Sequence, residues 1–420
     1  MKIKILATSD WHLGNMFHGN DRLSEHEHFL NWLLGQIREL QPEALLVAGD
    51  VFDNGNPSAA AQAAYYRFLA DATRACADMQ IVITAGNHDS ASRLEAPRAL
   101  LERQRVEVRG NVHRTWSNTD EGGEWAIDFD DLIIPLDGAK VAVLAVPFLR
   151  SDVVQGSSYS DGVNNFLRAL TARARELYPE HTLVMMAHMY AKGADIAKKD
   201  ASEKIVIGGQ EEVNMEGWSD HPDYLTCGHI HKRQHIWDTT WARYSGSVLP
   251  MSFAEKDYRH SIDLLTITDD KTINVDHLEY LPQHPLRVLP EGDEVLAPKE
   301  LAALIKAELP ARKDGKLGDD FCYVALRVKL DKGEKANEEA LNKLAKLMES
   351  KNAVVCKYQK IDTTLGLTTI SGDETIASID DILNRDPMST LREAFAVKHN
   401  REMSPEQESM LKELLEGINL

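Results

Sequence analysis

Short apolar runs recur along the first 230 residues: IKILATS from Ile3, ALLVA from Ala44, QIVITA from Gln80, TLVMMA from Thr182 and DYLTC from Asp223. Their length and aliphatic content read as β-strands. Between them the periodicity changes to that of helices. Asp21 to Leu40 places Phe29, Leu30, Leu33, Leu34 and Ile37 on one face, and an alanine-rich segment runs from Ala59 to Ala77. This alternation, continuing to about residue 185, predicts an α/β layered fold.

Past His229 the pattern changes to short strands without helices between them: Arg233 to Trp237, Ala242 to Ser245, Ser261 to Thr268 and Thr272 to Tyr280. These predict a second, more antiparallel sheet packed on the first as a β-sandwich flanked by helices. A break at Leu281-Pro282 and Pro285 marks a linker. Beyond it the order is strand, helix, strand, helix, strand (Leu286 to Leu289, Pro298 to Glu308, Cys322 to Leu330, Asn337 to Ser350, Ala353 to Ile361), a small α+β module. The tail carries a helix start at Ser404-Pro405-Glu406 and apolar positions at Leu411, Leu414, Leu415 and Ile418. The expected organisation is therefore a domain over 1–280, a smaller module over 281–372 and C-terminal helices over 373–420. The chain has no internal repeat and no low-complexity tract.

Composition alters this picture little. At 420 residues, 43 % hydrophobic and 27 % charged, the chain is ordinary for a globular protein of two or three domains. No apolar stretch approaches the length of a transmembrane helix, and with the first strand running straight from Met1 no cleavable signal is expected. Cys76, Cys227, Cys322 and Cys356 lack CxxC spacing, so reduced, buried thiols are expected, which favours the cytoplasm. The net charge of -19 argues against tight DNA binding by this chain alone. It does not exclude a phosphoester substrate, because two divalent ions reverse the local sign of a site.

The chemistry sits where the strands end. DWH (Asp10 to His12), GDVFD (Gly49 to Asp53), GNHD (Gly86 to Asp89), an isolated His188 and GHIH (Gly228 to His231) each follow one of the apolar runs. They supply carboxylates, imidazoles and one amide oxygen, a ligand set that suits Mn- or Fe-like divalent ions. Asp10 and His12, two apart on an extended chain end, point the same way and can chelate one ion. Asp50 is the candidate to bridge two ions, and Asn87, His188, His229 and His231 complete the set. Singly, each motif is a turn, a cap or a satisfied polar residue. Five of them in this order at strand ends do not reduce to caps.

Together they resemble the calcineurin-like metallophosphoesterase superfamily, with ordered motifs DxH, GDxxD, GNHD/E, a lone His and GHxH. The longer segments TSDWHLG, AGDVFD, AGNHDS, GHIHKRQ and RYSGSVLPMSF are similar to the D-subunit family of bacterial SbcCD nucleases, a resemblance that covers Met1 to about residue 270. The resemblance implies two Mn²⁺ ions, one held by Asp10, His12, Asp50 and His231 and the other by Asp50, Asn87, His188 and His229. It makes His88 the general acid and Asp53 the carboxylate that orients it and keeps it protonated. Asp53 departs from the archaeal relatives, which carry a histidine there.

The same resemblance implies a 3′ to 5′ exonuclease on double-stranded DNA and an endonuclease on hairpins and single strands, acting in DNA repair, recombination and replication. It further implies a capping module, a partner ATPase of the SbcC-type coiled-coil ABC class, and a homodimer within a heterotetramer.

Lys232, Arg233 and Arg243 flank the last motif and, with Lys198 and Lys199, are the candidate DNA-backbone contacts. His26 and His28 lack HExxH spacing and read as solvated, and His18, His181, His221 and His235 have no partner pattern. Two rival readings remain. A small-molecule or cyclic-nucleotide phosphodiesterase needs the same ligands but neither the extra module nor an apolar terminal helix. A catalytically silent scaffold for a partner ATPase needs no intact ligand set.

Overall fold

The computed structural model describes residues 2–119, 122–195, 212–237, 239–292, 294–330, 334–362 and 367–371. Two six-stranded sheets lie face to face. In the first, Ile3–Thr8, Ala44–Ala48, Gln80–Thr84 and Val106–Arg109 run parallel. Alternation along these strands separates two cores. Ile5, Ala7, Ala44, Leu46, Ala48 and Val82 face the other sheet. Leu6, Leu45, Val47, Ile81 and Ile83 face the helices Leu23–Leu40 and Ala59–Ala75. The alanines at the sheet-to-sheet contact let the two backbones approach closely.

The second sheet differs from the sequence expectation. It is mainly parallel, built from Val141–Ala145, Thr182–His188, Tyr224–Gly228 and Ala242–Tyr244, with Ile133–Pro135 and Gln234–His235 antiparallel at its edges. The helix Tyr159–Leu177 covers its outer face through Val163, Phe166, Leu167 and Leu170. The late strands Ser261–Ile267 and Ile273–Glu279 are a hairpin of the first sheet, paired with Ile3–Thr8 from Ile3↔Ile267 to Ala7↔Asp263. Periodicity identifies such a hairpin but carries no information about which open edge it covers.

Residues from Leu286 onward build a separate four-stranded sheet. Leu286–Leu289, Cys322–Leu330 and Ala353–Asp362 are parallel and Leu367–Ser371 is antiparallel, with the helices Pro298–Glu308 and Glu334–Met348 packed over Leu289, Val324 and Leu326. This module meets the larger one at a buried ion pair. Arg22 grips Glu25 through Nε and Nη2 at 2.9 and 3.0 Å, and Tyr323 of the module donates its hydroxyl to Glu25 Oε1 at 3.0 Å. The segment over 373–420, with the predicted helix at Leu411 to Ile418, lies outside the described residues, as do Lys198 and Lys199.

All four cysteines are free, three of them buried, and no helix among the described residues is long and apolar enough to cross a membrane.

His26 corrects the solvated reading. It is fully buried, because it precedes Phe29, Leu30 and Leu33 by three, four and seven residues and so falls on the inward face of its helix. His28, on the flank, instead shares a 2.8 Å hydrogen bond with the Tyr280 hydroxyl. Burial, then the neighbouring Arg22 and His12, push the His26 imidazole down to about 3. The unfolded chain takes up this proton near pH 6.5 and the folded chain does not. Stability is therefore lost as pH falls from 6.5 toward 3, by about 1.4 kcal/mol per unit from this group. Replacing it, His26→Leu, is expected to flatten the fall in the urea midpoint between pH 7 and pH 5; an unchanged slope would show that His26 is not the group responsible.

Candidate metal centre

The parallel strands of both sheets end at one rim, and the chain leaves them in unusual conformations. Asp10, His12, Asp50 and His229 have φ of 52°, 46°, 48° and 96°, a region non-glycine residues seldom occupy and which recurs at functional sites. Main-chain hydrogen bonds hold these turns to one another: Asp10 N to Gly49 O at 3.1 Å, His12 N to Asp50 O at 3.0 Å and Leu13 N to Val51 O at 2.9 Å. Two glycines make the crowding possible. A Cβ at Gly49 would lie 2.2 Å from His188 Nδ1, and one at Gly86 would lie 2.1 Å from Asp50 Oδ1.

All seven expected ligands converge at this rim. Asp10, His12 and His231 offer atoms within 4.8 Å of one another, as do Asp10, Asp50 and His188. Asn87 Oδ1 lies 2.9 Å from His188 Nε2 and 3.0 Å from His229 Nδ1, which brings the amide between the two imidazoles. Asp50 Oδ2 stands 3.3 Å from His188 Nε2 and 3.7 Å from His12 Nε2.

Tautomers follow from the outer contacts, since a ring nitrogen committed to an acceptor leaves the other for the site. His188 donates Nδ1–H to Ala48 O across the sheet-to-sheet gap at 2.9 Å, and His231 turns Nδ1 to Glu255 Oε1 at 3.0 Å. His12 Nε2 is buried without a hydrogen-bond partner, the state expected of a nitrogen turned to a cation, while Nδ1 stands 3.5 Å from the Asp53 carboxylate. The donor set is oxygen and nitrogen only, so these residues fit a pair of hard-to-borderline divalent ions.

Charge is strongly coupled here. Burial pushes the Asp50 carboxyl up, but the imidazoles of His188, His12 and His88 outweigh it and hold the group well below the usual carboxylate range. Burial pushes His188 down, and the Asp50 and Asp10 carboxylates more than reverse it, to about 9. Burial together with His188 pushes His229 down to about 3.

His88 sits beside this set, its main-chain N–H donating to Asp50 Oδ1 at 2.9 Å. Its Nδ1 meets the main-chain carbonyl of Asp53 at 2.9 Å. The Asp53 carboxylate, expected to orient His88, instead accepts from Asn15 Nδ2 at 2.9 Å and stands 3.5 Å from His12 Nδ1. The strand-end turn directs the side chain of Asp53 toward the DWH segment and leaves its carbonyl facing His88.

The basic candidates fare differently. Arg243 is buried against Asp263, with Nε 3.5 Å from Oδ2, and is not available to a phosphate. As a residue of the strand Ala242–Tyr244 it points toward the first sheet, a direction its sequence neighbourhood did not reveal. Lys232 is paired with Asp195, and Arg233 donates to Ser261 Oγ at 2.9 Å while remaining partly exposed.

Two residues near the rim escaped sequence reasoning. Asp89, the last letter of GNHD, accepts from the main-chain N–H groups of Val51, Phe52 and Gly86 at 3.1, 2.9 and 2.9 Å, fastening two motif loops together. Burial and the adjacent Asp50 carboxylate push its carboxyl up to about 6. Its motif membership was the available signal. Glu255 follows the RYSGSVLPMSF segment and carries no spacing signal at all.

Comparison with known proteins agrees with this arrangement. Residues 3–233 match the calcineurin-like phosphoesterase family. The chain is 36 % identical to the D subunit of the SbcCD nuclease of Rhodobacter capsulatus over 77 % of its own length and 80 % of the relative's. Identity to the corresponding protein of Escherichia coli K12 is 30 % (69 % and 71 % covered) and to that of Bacillus subtilis 31 % (64 % and 66 %). The chain belongs to the calcineurin-like phosphoesterase family, among the D subunits of SbcCD nucleases, and is accordingly a metal-binding hydrolase.

Proposed function

We propose that this chain is a two-metal phosphodiesterase that cuts DNA as the nuclease component of a complex with a coiled-coil ABC-type ATPase. One observation carries the reading: seven oxygen and nitrogen donors from five strand ends converge at one rim, among them an imidazole, His12, whose buried Nε2 lacks a hydrogen-bond partner. Asp10, His12, Asp50 and His231 would hold one ion, and Asp50, Asn87, His188 and His229 the other. Divalent ions bound there supply Lewis-acid charge for an anionic phosphodiester and lower the pKa of a water toward neutrality.

The chain's own groups do the rest. Asp50 anchors the His88 loop through the His88 N–H, and the Asp53 carbonyl takes Nδ1–H, so that His88 in its imidazolium form has Nε2–H free to give its proton to the leaving oxygen and ends as the neutral Nδ1–H tautomer. Asp53 acts on His88 through its main chain and on His12 through its carboxylate. Hydrolysis is direct, without a covalent intermediate, because no side-chain nucleophile stands in the motifs.

Kinship with the SbcCD nucleases supports the finer reading: Mn²⁺ as the working metal, exonuclease and endonuclease action on DNA ends, hairpins and single strands, a homodimer within a heterotetramer, and a cytoplasmic location. The module from Leu286 onward would position DNA, and Leu411, Leu414, Leu415 and Ile418, spaced i, i+3, i+4 and i+7, would form the face that takes the ATPase. Affinity for duplex comes mainly from phosphate neutralisation by Lys and Arg. With a net charge of -19, Lys232 paired and Arg243 buried, this chain depends on its partner for DNA.

The purified protein is expected to hydrolyse a chromogenic phosphodiester with Mn²⁺, weakly with Mg²⁺, which dehydrates reluctantly, and not at all with EDTA. Activity that survives EDTA would sink the two-metal reading. Asp50→Ala should lose both ions by metal analysis. His88→Ala should keep both and lose about 10²- to 10⁴-fold in kcat; loss of metal from it would withdraw the general-acid role.

Deleting residues after 386 should leave hydrolysis of the small phosphodiester intact while abolishing co-purification with the coiled-coil ATPase and ATP-dependent cutting of blocked DNA ends. Complex formation by the shortened chain would return the terminal helix to its own domain.

A further inference from the structure

The imidazoles at the rim differ in what stands behind them. His188 satisfies its outer nitrogen with a main-chain carbonyl, Ala48 O at 2.9 Å. His231 turns its outer nitrogen to the carboxylate of Glu255, 3.0 Å away and 0 % exposed. A carbonyl suffices for the hydrogen bond, as His188 demonstrates. Removing a carboxylate from water costs several kcal/mol, so its presence here is more than that hydrogen bond requires.

Glu255 is also held with little freedom. Its Oε2 accepts from Met251 N at 2.8 Å, and it ends the short helical turn Phe253–Glu255, capped by Ser252 Oγ accepting from Ala254 N at 3.1 Å. Just upstream, the Pro250 carbonyl takes a 2.6 Å hydrogen bond from Arg22 Nη1. The carboxylate is thus placed by the surrounding fold independently of His231.

We propose that Glu255 is a positioning residue of the metal centre. By accepting Nδ1–H from His231 it selects the tautomer that keeps Nε2, beside Asp10 and His12, unprotonated, and it adds negative charge behind that ligand, which raises the ligand's basicity. Glu255 thereby favours the ion held by Asp10, His12 and His231 over its neighbour at Asn87, His188 and His229. This rests on the metal reading above.

The test is calorimetric titration of chelator-stripped, full-length protein with Mn²⁺ alone, alongside thermal unfolding in EDTA. Wild type should take up two ions. Glu255→Gln preserves size and, with its single oxygen on Met251 N–H, turns an NH2 toward His231, so that both the charge and the acceptor for Nδ1–H are lost; it should weaken one of the two sites about 10- to 100-fold, leaving the other site and the unfolding midpoint in EDTA unchanged. Glu255→Ala, which removes the Met251 contact as well, should weaken the same site at least as far. Wild-type affinities at both sites in Glu255→Gln would overturn the proposal. So would a lowered midpoint in EDTA with unchanged affinities, since that is the signature of a purely structural carboxylate. A wild-type protein that takes up no Mn²⁺ would overturn the metal reading itself, and this assignment with it.

Discussion

The structure depends on keeping the Asp50 carboxylate ionised in a place from which water is nearly excluded. Burying such a group costs several kcal/mol unless charge and hydrogen bonds compensate. The compensation comes from separate pieces of chain: the imidazoles of His188 and His12, and the N–H of His88. None of these is local in sequence. The two sheets must therefore be stacked in one register for Asp50 to be tolerated, and the same stacking is what brings the other donors to the rim.

That requirement explains the geometry around it. The first sheet carries Asp10, Asp50 and Asn87 at its strand ends, and the second carries His188, His229 and His231. The bond from His188 Nδ1 to Ala48 O ties one sheet to the other at that level. Left-handed conformations at Asp10, His12, Asp50 and His229 turn the chain sharply enough to aim four ligands inward, and Asp89 fastens two of the turns through three main-chain N–H groups. The conformational cost at those residues is met by hydrogen bonding between loops, which makes the centre a rigid, preorganised arrangement.

Electrostatics follows the same division between near and far. The chain as a whole is acidic, yet the rim gathers imidazoles around its carboxylates, and Asp50 and His188 shift each other's titration in opposite senses. Further out, Arg243 is drawn inward to Asp263 and Arg22 to Glu25, where Tyr323 of the smaller module joins them, while Lys232 pairs with Asp195 at the surface. Arg243, read as a DNA-backbone contact from sequence, thus serves an internal ion pair.

What the sequence determined by itself is the set of strands and the chemistry at their ends. Ala44–Ala48 and Gln80–Thr84 were legible because a short apolar run stopped by a Gly-Asp or Gly-Asn pair is a local signal, and the same locality made Asp10, His12, Asp50, Asn87, His188, His229 and His231 readable as one donor set. Tertiary structure alone decided which strands share a sheet, because the period-two pattern of the hairpin Ser261–Glu279 does not specify which free edge it joins. It also set the Asp53 carboxylate on Asn15 and beside His12, and set Glu255 behind His231, 24 residues away in the chain. Local patterns report propensity and ligand type. Partners distant in sequence are chosen only when packing brings their atoms within hydrogen-bonding range.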